Sequence, residues 1–108
     1  MQALPVLQPI CCGPEVEPLD RAATKQLAAQ FRALADPTRV AIVNALSAAD
    51  EVCVCNLTAT FDLSQPTVSH HLRILREAGL VEATRRGTWA YYRLVPEAVD
   101  ALRGALGA

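Results

Sequence analysis

The stretch "SQPTVSHHLRILREAGLV", residues 64 to 81, restricts the fold more than any other part of the chain. Ser64 is a residue type that caps helix N-termini, Pro66 is tolerated in a first turn whose N–H groups lack partners anyway, and Gly79 supplies a left-handed stop. Between these signals Val68, Leu72 and Leu75 recur at i, i+4 and i+7, the apolar stripe of an amphipathic helix. Just upstream, "VCVCNLTATFDL" reads as an extended run leading into a brief helix that begins near Cys55 or Asn56. A short helix, a tight turn and a second amphipathic helix result. Downstream, "LVEATRRGTWAYYRL" switches to strand-like composition: a strand from Val81 to Arg85, a turn at Arg86 and Gly87, and a return strand through Tyr91 and Tyr92.

The remaining elements are helical. Asp20 caps a helix running to about Leu34, with Leu27, Phe31 and Leu34 on one stripe. Asp36 followed by Pro37 repeats the start signal, and the second helix, with Val40, Val43 and Leu46 inward, ends near Ser47. From Pro96 a terminal helix gathers Val95, Val99, Leu102 and Leu106 on one side. The expected fold is mainly α with a β-hairpin wing, a winged helix-turn-helix. Its second paired helix faces the major groove and its wing follows the phosphates. The outer helices carry apolar stripes that so small a core leaves uncovered, and a symmetric homodimer is the economical way to bury them.

Residues 1 to 19 hold prolines at 5, 9, 14 and 18, which forbid a continuous helix. They are expected to form a flexible, cysteine-bearing arm, with the DNA-binding and dimerisation domain spanning residues 20 to 108. With 108 residues there is room for one domain. No basic leader precedes a long apolar run, and no stretch approaches the roughly 18 apolar residues of a membrane span. A cytoplasmic protein without a membrane partner is expected.

A net charge of −1 argues against nucleic acid taken alone, but the charge is unevenly spread. Residues 1 to 63 carry four basic and seven acidic side chains, net −3, whereas residues 64 to 108 carry six basic and four acidic ones, net +2. A polyanion-binding face therefore belongs to the second half. On the helix face opposite Val68, Leu72 and Leu75 stand Ser64, Gln65, Thr67, Ser69, His70 and Arg73, side chains that can address base edges and phosphates. Arg85 and Arg86 near the wing tip are expected to meet phosphates. Polar residues on a lone helix would read as a solvated face. The "AGLV" turn and the basic hairpin that follow favour double-stranded DNA instead.

Four cysteines occur as an adjacent pair, Cys11 and Cys12, and a C-x-C pair, Cys53 and Cys55. This is an awkward framework for disulfides, and an adjacent-cysteine disulfide is strained. Thiolates are soft ligands suited to As(III), Sb(III), Cd(II), Pb(II), Cu(I) and Zn(II). Residues two apart on a helix diverge by roughly 200° at about 3.6 residues per turn, so sharing an ion requires Cys53 just before the helix and Cys55 in its first turn. The positive end of that helix would favour the thiolate. Buried cysteines acting as small core residues are the plain alternative.

"ALADPTRVAIVNAL", "EVCVCNL" and "LSQPTVSHHLRILREAGLV" resemble the ArsR/SmtB family of metal-sensing transcriptional repressors over roughly residues 24 to 94. "EVCVCNL" is similar to the metal-binding box "ELCVCDL" of the family's arsenite-sensing and cadmium/lead-sensing branches. One departure is Asn56 where the box has Asp, which is expected to keep a capping role and lose a charge. The resemblance implies a homodimeric repressor that holds its operator when metal-free and releases it when the inducer binds. It also implies a metal site built from Cys53 and Cys55 together with the arm's Cys11 and Cys12. The segment from Cys12 to Asp20 can reach roughly 26 Å at about 3.3 Å per extended residue, enough to cross to a partner subunit. Adjacent Cys11 and Cys12 point different ways in an extended chain, so the arm supplies one sulfur or two: three sulfurs suit As(III) or Sb(III), the favoured inducer, and four suit Cd(II), Pb(II) or Zn(II).

Other branches bind zinc, nickel or cobalt through histidines on the terminal helix, and residues 96 to 108 contain none. His70 is expected to face DNA and His71 to be packed. A thiol-reductase reading fails for want of a C-x-x-C motif and of a His and carboxylate set, so no enzyme is expected. A metal-buffering module that kept the fold and lost the operator would not need the "SQPTVSHHLR" face or the wing arginines.

Overall fold

The structure, a computed structural model, describes residues 17–107. Cys11, Cys12 and most of the expected arm lie outside the described residues. The elements run α1 (Arg21–Ala33), α2 (Pro37–Ser47), β1 (Val52–Cys53), α3 (Val54–Phe61), α4 (Gln65–Glu77), β2 (Val81–Arg86), β3 (Trp89–Leu94) and α5 (Pro96–Ala105).

The start signals act as expected. Asp20 accepts from the Ala22 and Ala23 N–H groups, Asp36 from Arg39, and Ser64 from Thr67. Between α3 and α4 the chain turns through Asp62, at φ 53°, a left-handed conformation that Asp tolerates better than most residues. After α4, Gly79 stands at φ +82° and the Leu80 N–H returns to the Leu75 carbonyl, closing the helix in the way a glycine stop does.

Val68, Leu72 and Leu75 of α4 are fully buried and meet Val54 and Leu57 of α3, Ile42 and Leu46 of α2, and Leu80 and Val81 at the start of β2. This contact fixes the angle between the paired helices. Truncating Leu72 to Ala there would cost roughly 2–5 kcal/mol.

Several expectations need correction. In α2 the buried residues are Ile42 and Leu46, while Val40 is 51% exposed, because the core reaches this helix along a stripe rotated from the 40–43–46 line. In α1 the buried pair is Gln30 and Ala33, and Phe31 is 39% exposed: Gln30 turns inward to make a hydrogen bond, which swings the apolar stripe partly outward. Leu106 lies past the end of α5 and is solvent-facing.

The hairpin turn is one residue later than expected. Arg86 pairs with Trp89, leaving Gly87 and Thr88 as a two-residue loop with positive φ at Gly87. The sheet also has a third strand. Val52 and Cys53 pair with Tyr92 and Tyr91, so the order is β1-β3-β2 and the cysteine box is bonded to the wing. The architecture is a winged helix-turn-helix, and no helix among the described residues is long and apolar enough to cross a membrane.

Candidate functional site

Helix α3 starts at Val54, and its cap is the sulfur of Cys53. Cys53 Sγ accepts from the Cys55 N–H at 3.4 Å, and the Cys55 thiol donates to the same sulfur at 2.6 Å. Asn56, expected to cap, stands inside the first turn instead. Its carbonyl oxygen lies 3.9 Å from Cys55 Sγ. The sequence places Cys53 before the helix and Cys55 in its first turn, and the structure brings their sulfurs together.

The two thiols differ in surroundings. Cys53 is buried at the junction of β1 and α3, while Cys55 is exposed. The bond from the Cys55 thiol holds Cys53 below its ordinary thiol value, against the opposing effect of burial, with help from the Cys55 and Asn56 N–H groups. The same bond, with burial and the charge on its neighbour, pushes Cys55 up. Of the two thiols, Cys53 is therefore the first to give up its proton. Among the described residues no group of three His, Cys, Asp or Glu side chains gathers as a metal site. Cys53 and Cys55 therefore make a two-sulfur donor set there, chemically suited to thiophilic ions and short of the third or fourth ligand such ions take.

The second site is the outer face of α4. Gln65, Thr67, His70 and Arg73 are exposed and Ser69 is half-buried. Ser64 serves mainly as the cap, its hydroxyl also 2.9 Å from Thr67 Oγ1. Gln65 Nε2 donates to Ser69 Oγ at 2.8 Å, and Arg73 donates to His70 Nδ1 at 3.5 Å. These bonds hold polar tips in place over the helix while leaving further donors free. Ser69, His70 and Arg73 line an open cleft of about 400 Å3 together with Arg76 and Tyr92. Arg76, three residues beyond Arg73 on the same face, was legible from spacing and is the cation that sequence reasoning missed.

The wing arginines divide. Arg85 is exposed without an ion pair among the described residues, whereas Arg86 pairs with Glu51 and lies 4.7 Å from the Tyr91 ring centroid. Thr88 and Trp89 complete the wing tip, with Trp89 54% exposed.

His71 is packed, as expected, and its partner is a residue that sequence reasoning left unassigned. Arg39 donates through NH1 to His71 Nδ1 at 3.2 Å and through Nε to the Ala33 carbonyl at 2.6 Å. One guanidinium thereby joins the end of α1, the start of α2 and the middle of α4. A guanidinium can only donate, so His71 Nδ1 is the acceptor of this bond.

The chain is similar to known proteins over most of its length. Residues 36–83 match the family described as "Bacterial regulatory protein, arsR family". The arsenic resistance transcriptional regulator ArsR1 of Pseudomonas putida is 48% identical over 82 residues, 72% of this chain and 64% of that protein. The cadmium resistance transcriptional regulatory protein CadC homolog of Staphylococcus aureus is 42% identical over 72 residues, 67% of this chain and 60% of that protein. The chain thus spans less than two thirds of either relative. Among solved structures, a possible transcriptional regulator for arsenical resistance superposes with a TM-score of 0.67 at 40% identity, covering 73% of this chain and 81% of that one. A homodimeric winged helix-turn-helix DNA-binding domain from Mycobacterium bovis gives 0.68 at 29% identity, covering 85% and 87%.

Proposed function

The chain belongs to the arsR family of bacterial regulatory proteins, and from that premise we propose that it is a homodimeric transcriptional repressor whose operator is released when As(III) or Sb(III) binds its cysteine thiolates. The observation that carries this reading is the double duty of Cys53. Its sulfur caps α3 and touches Cys55, and α3 packs directly on α4, the helix that faces DNA.

Binding an inducer replaces the Cys55 S–H contact at that sulfur with an inducer bond, which re-aims the cap of α3 and, through β1, pulls on the wing. Both reading elements, α4 and the hairpin, are thus connected to one atom. Cys53 and Cys55 hold the inducer, with Cys11 and Cys12 of the arm supplying the further thiolates. Gln65, Ser69, His70 and Arg73 address bases and phosphates, Ser64 and Thr67 fix the start of the reading helix, and Arg85 and Arg86 steady the wing on the backbone. By linkage, the inducer weakens DNA binding by the factor that DNA weakens inducer binding, commonly about 1–3 kcal/mol.

The dimer rests on a groove of about 510 Å3 between α1 and α5, lined mainly by small and apolar residues including Leu27, Ala98 and Ala101. Leu19 at its rim and Leu106 nearby in sequence are exposed apolar side chains, of the kind a second copy covers.

A Cd(II), Pb(II) or Zn(II) response using all four cysteines is the second reading, favoured by the similarity to the cadmium resistance protein. Fluorescence anisotropy of a labelled duplex from upstream of the gene, titrated with reduced protein and then with each ion, separates the two. Release by As(III) and Sb(III) supports the first and release by Cd(II) or Pb(II) alone the second. Cys55→Ser should bind the duplex and fail to release it; failure to bind DNA would contradict this division of labour.

A further inference from the structure

Helix α1 buries Gln30 and Ala33, which lie three residues apart and so on one face. Each anchors a polar tether to α4. Gln30 Nε2 donates to the Ala78 carbonyl at 3.2 Å. The Ala33 carbonyl accepts from Arg39 Nε at 2.6 Å, and the same guanidinium donates to His71 Nδ1 at 3.2 Å. Arg39 is itself held, since its backbone N–H donates to the Asp36 carboxylate at 3.1 Å. Residues 71 and 78 stand nearly two turns apart on one side of α4, about 10.5 Å along its axis at about 1.5 Å per residue.

One attachment leaves a helix free to pivot; two fix its direction. Val68, Leu72 and Leu75 press α4 against α2 and α3, but hydrophobic contact is non-directional and tolerates sliding and rotation. Hydrogen bonds are directional. The His71 ring lies 5.7 Å from that of His70, whose Nδ1 accepts from Arg73 on the face that addresses DNA, so holding His71 also aims that pair. At the other tether, Gln30 and Gly79 line the groove between α1 and α5 that a second copy covers in the proposed dimer.

We propose that Gln30, Arg39 and His71 are positioning residues that lock α4 to α1, and that through this lock they set the spacing of operator half-sites that the protein accepts. This rests on the homodimeric repressor reading and deepens it. In a symmetric dimer the separation and angle of the two reading helices follow from the contact between subunits and from the angle between α1 and α4 within each. The groove governs the first and the tethers govern the second. None of the three residues needs to touch DNA; each acts through α4. Inserting one base pair at the centre of an operator moves its half-sites apart by about 3.4 Å and turns them by roughly 35°, a change that a rigid dimer rejects and a loosened one accommodates.

The test compares the labelled duplex from upstream of the gene with the same duplex carrying one base pair inserted at its centre of symmetry, by anisotropy with the full chain. His71→Leu removes the acceptor on α4, Gln30→Leu cuts the other tether, and His71→Asn keeps an acceptor near the place of Nδ1. The ratio of the two affinities is the readout, because a purely structural loss weakens both duplexes alike. For His71→Leu and for Gln30→Leu the preference for the original spacing should fall by about threefold to tenfold, the fold-change equivalent of about one hydrogen bond. His71→Asn should keep the preference of the unaltered chain. Sedimentation and circular dichroism check that each variant is a folded dimer, and Gln30→Leu carries the expectation by itself if His71→Leu does not fold.

An unchanged preference in the folded leucine variants would overturn the lock, whatever the loss of overall affinity. A His71→Asn variant as permissive as His71→Leu would overturn the part assigned to the Arg39 bond, and equal binding of both duplexes by the unaltered chain would overturn the spacing role. If the unaltered chain prefers the original spacing and the leucine variants do so equally, only this inference falls. If the unaltered chain binds neither duplex, the repressor reading falls and this inference with it.

Discussion

Gln30 Nε2 donates to the Ala78 carbonyl at 3.2 Å, tying an outer helix to the residue that ends α4. Gln30 is only 3% exposed, and its Oε1 has no partner among the described residues. Replacing it with Leu removes the donor from Ala78 and also the orphaned oxygen, two effects of opposite sign. Leaving the Ala78 carbonyl without its donor costs roughly 1–3 kcal/mol and removing the orphaned oxygen gives part of that back, so the expected net loss is about 1 kcal/mol. Thermal unfolding monitored by circular dichroism should show a lowered Tm for Gln30→Leu; an unchanged or raised Tm would mean that the bond holds nothing.

Gly79→Ala isolates the backbone contribution at the same junction. At φ +82° an L side chain is strained, while the added Cβ would meet Gln30 Nε2 at an ordinary 3.8 Å. The expected cost is roughly 1–2 kcal/mol, all of it conformational. A denaturant titration giving no shift in midpoint would contradict this.

The acid limb of stability should report on Asp36. Its carboxylate accepts the Arg39 N–H at the cap of α2, and this bond, more than the charge of the Arg39 guanidinium, holds it below its ordinary carboxylate value. A lowered folded pKa means that the contribution is present above the unfolded pKa and fades as pH falls through the folded one. Asp36→Asn keeps a capping oxygen and removes the titration. Chemical denaturation across the acid range should therefore show a shallower fall in stability for this variant, and identical slopes would refute it.

The wing arginines should separate in DNA binding. Arg85→Ala is expected to lower the slope of log K against log salt by about 1, the loss of one phosphate contact. Arg86→Ala should change it less, because that guanidinium is already committed to Glu51 and Tyr91. Anisotropy at several salt concentrations checks both, and equal slope changes would show that the Glu51 pair opens on DNA.

The parts of the molecule written in local signals were legible from the sequence. Asp20, Asp36, Ser64 and Gly79 mark helix ends through backbone chemistry that needs no tertiary partner, and the 68–72–75 stripe is buried as its period demands. What depended on distant partners was not. Gln30 turns inward because Ala78, 48 positions away, offers a carbonyl. Val40 turns outward because the core meets α2 along Ile42 and Leu46. Cys53 became a strand residue because Tyr91 of the wing lies alongside, a pairing two residues long that leaves no periodic trace. At the thiol site, spacing gave the placement of the cysteines correctly, whereas the resemblance to the box carried the cap to Asn56 and the structure gives it to the Cys53 sulfur.

Cys53→Ser separates the two duties assigned to that sulfur, because serine is among the best helix caps and a poor ligand for soft ions. Anisotropy of the labelled duplex with this variant and the unaltered chain, each titrated with arsenite, puts the capping sulfur to the test. The variant should bind the duplex as the unaltered chain does and keep it at arsenite concentrations that strip the unaltered protein from DNA. Release of both proteins at the same arsenite concentration would contradict the proposal that the inducer acts through the sulfur that caps α3.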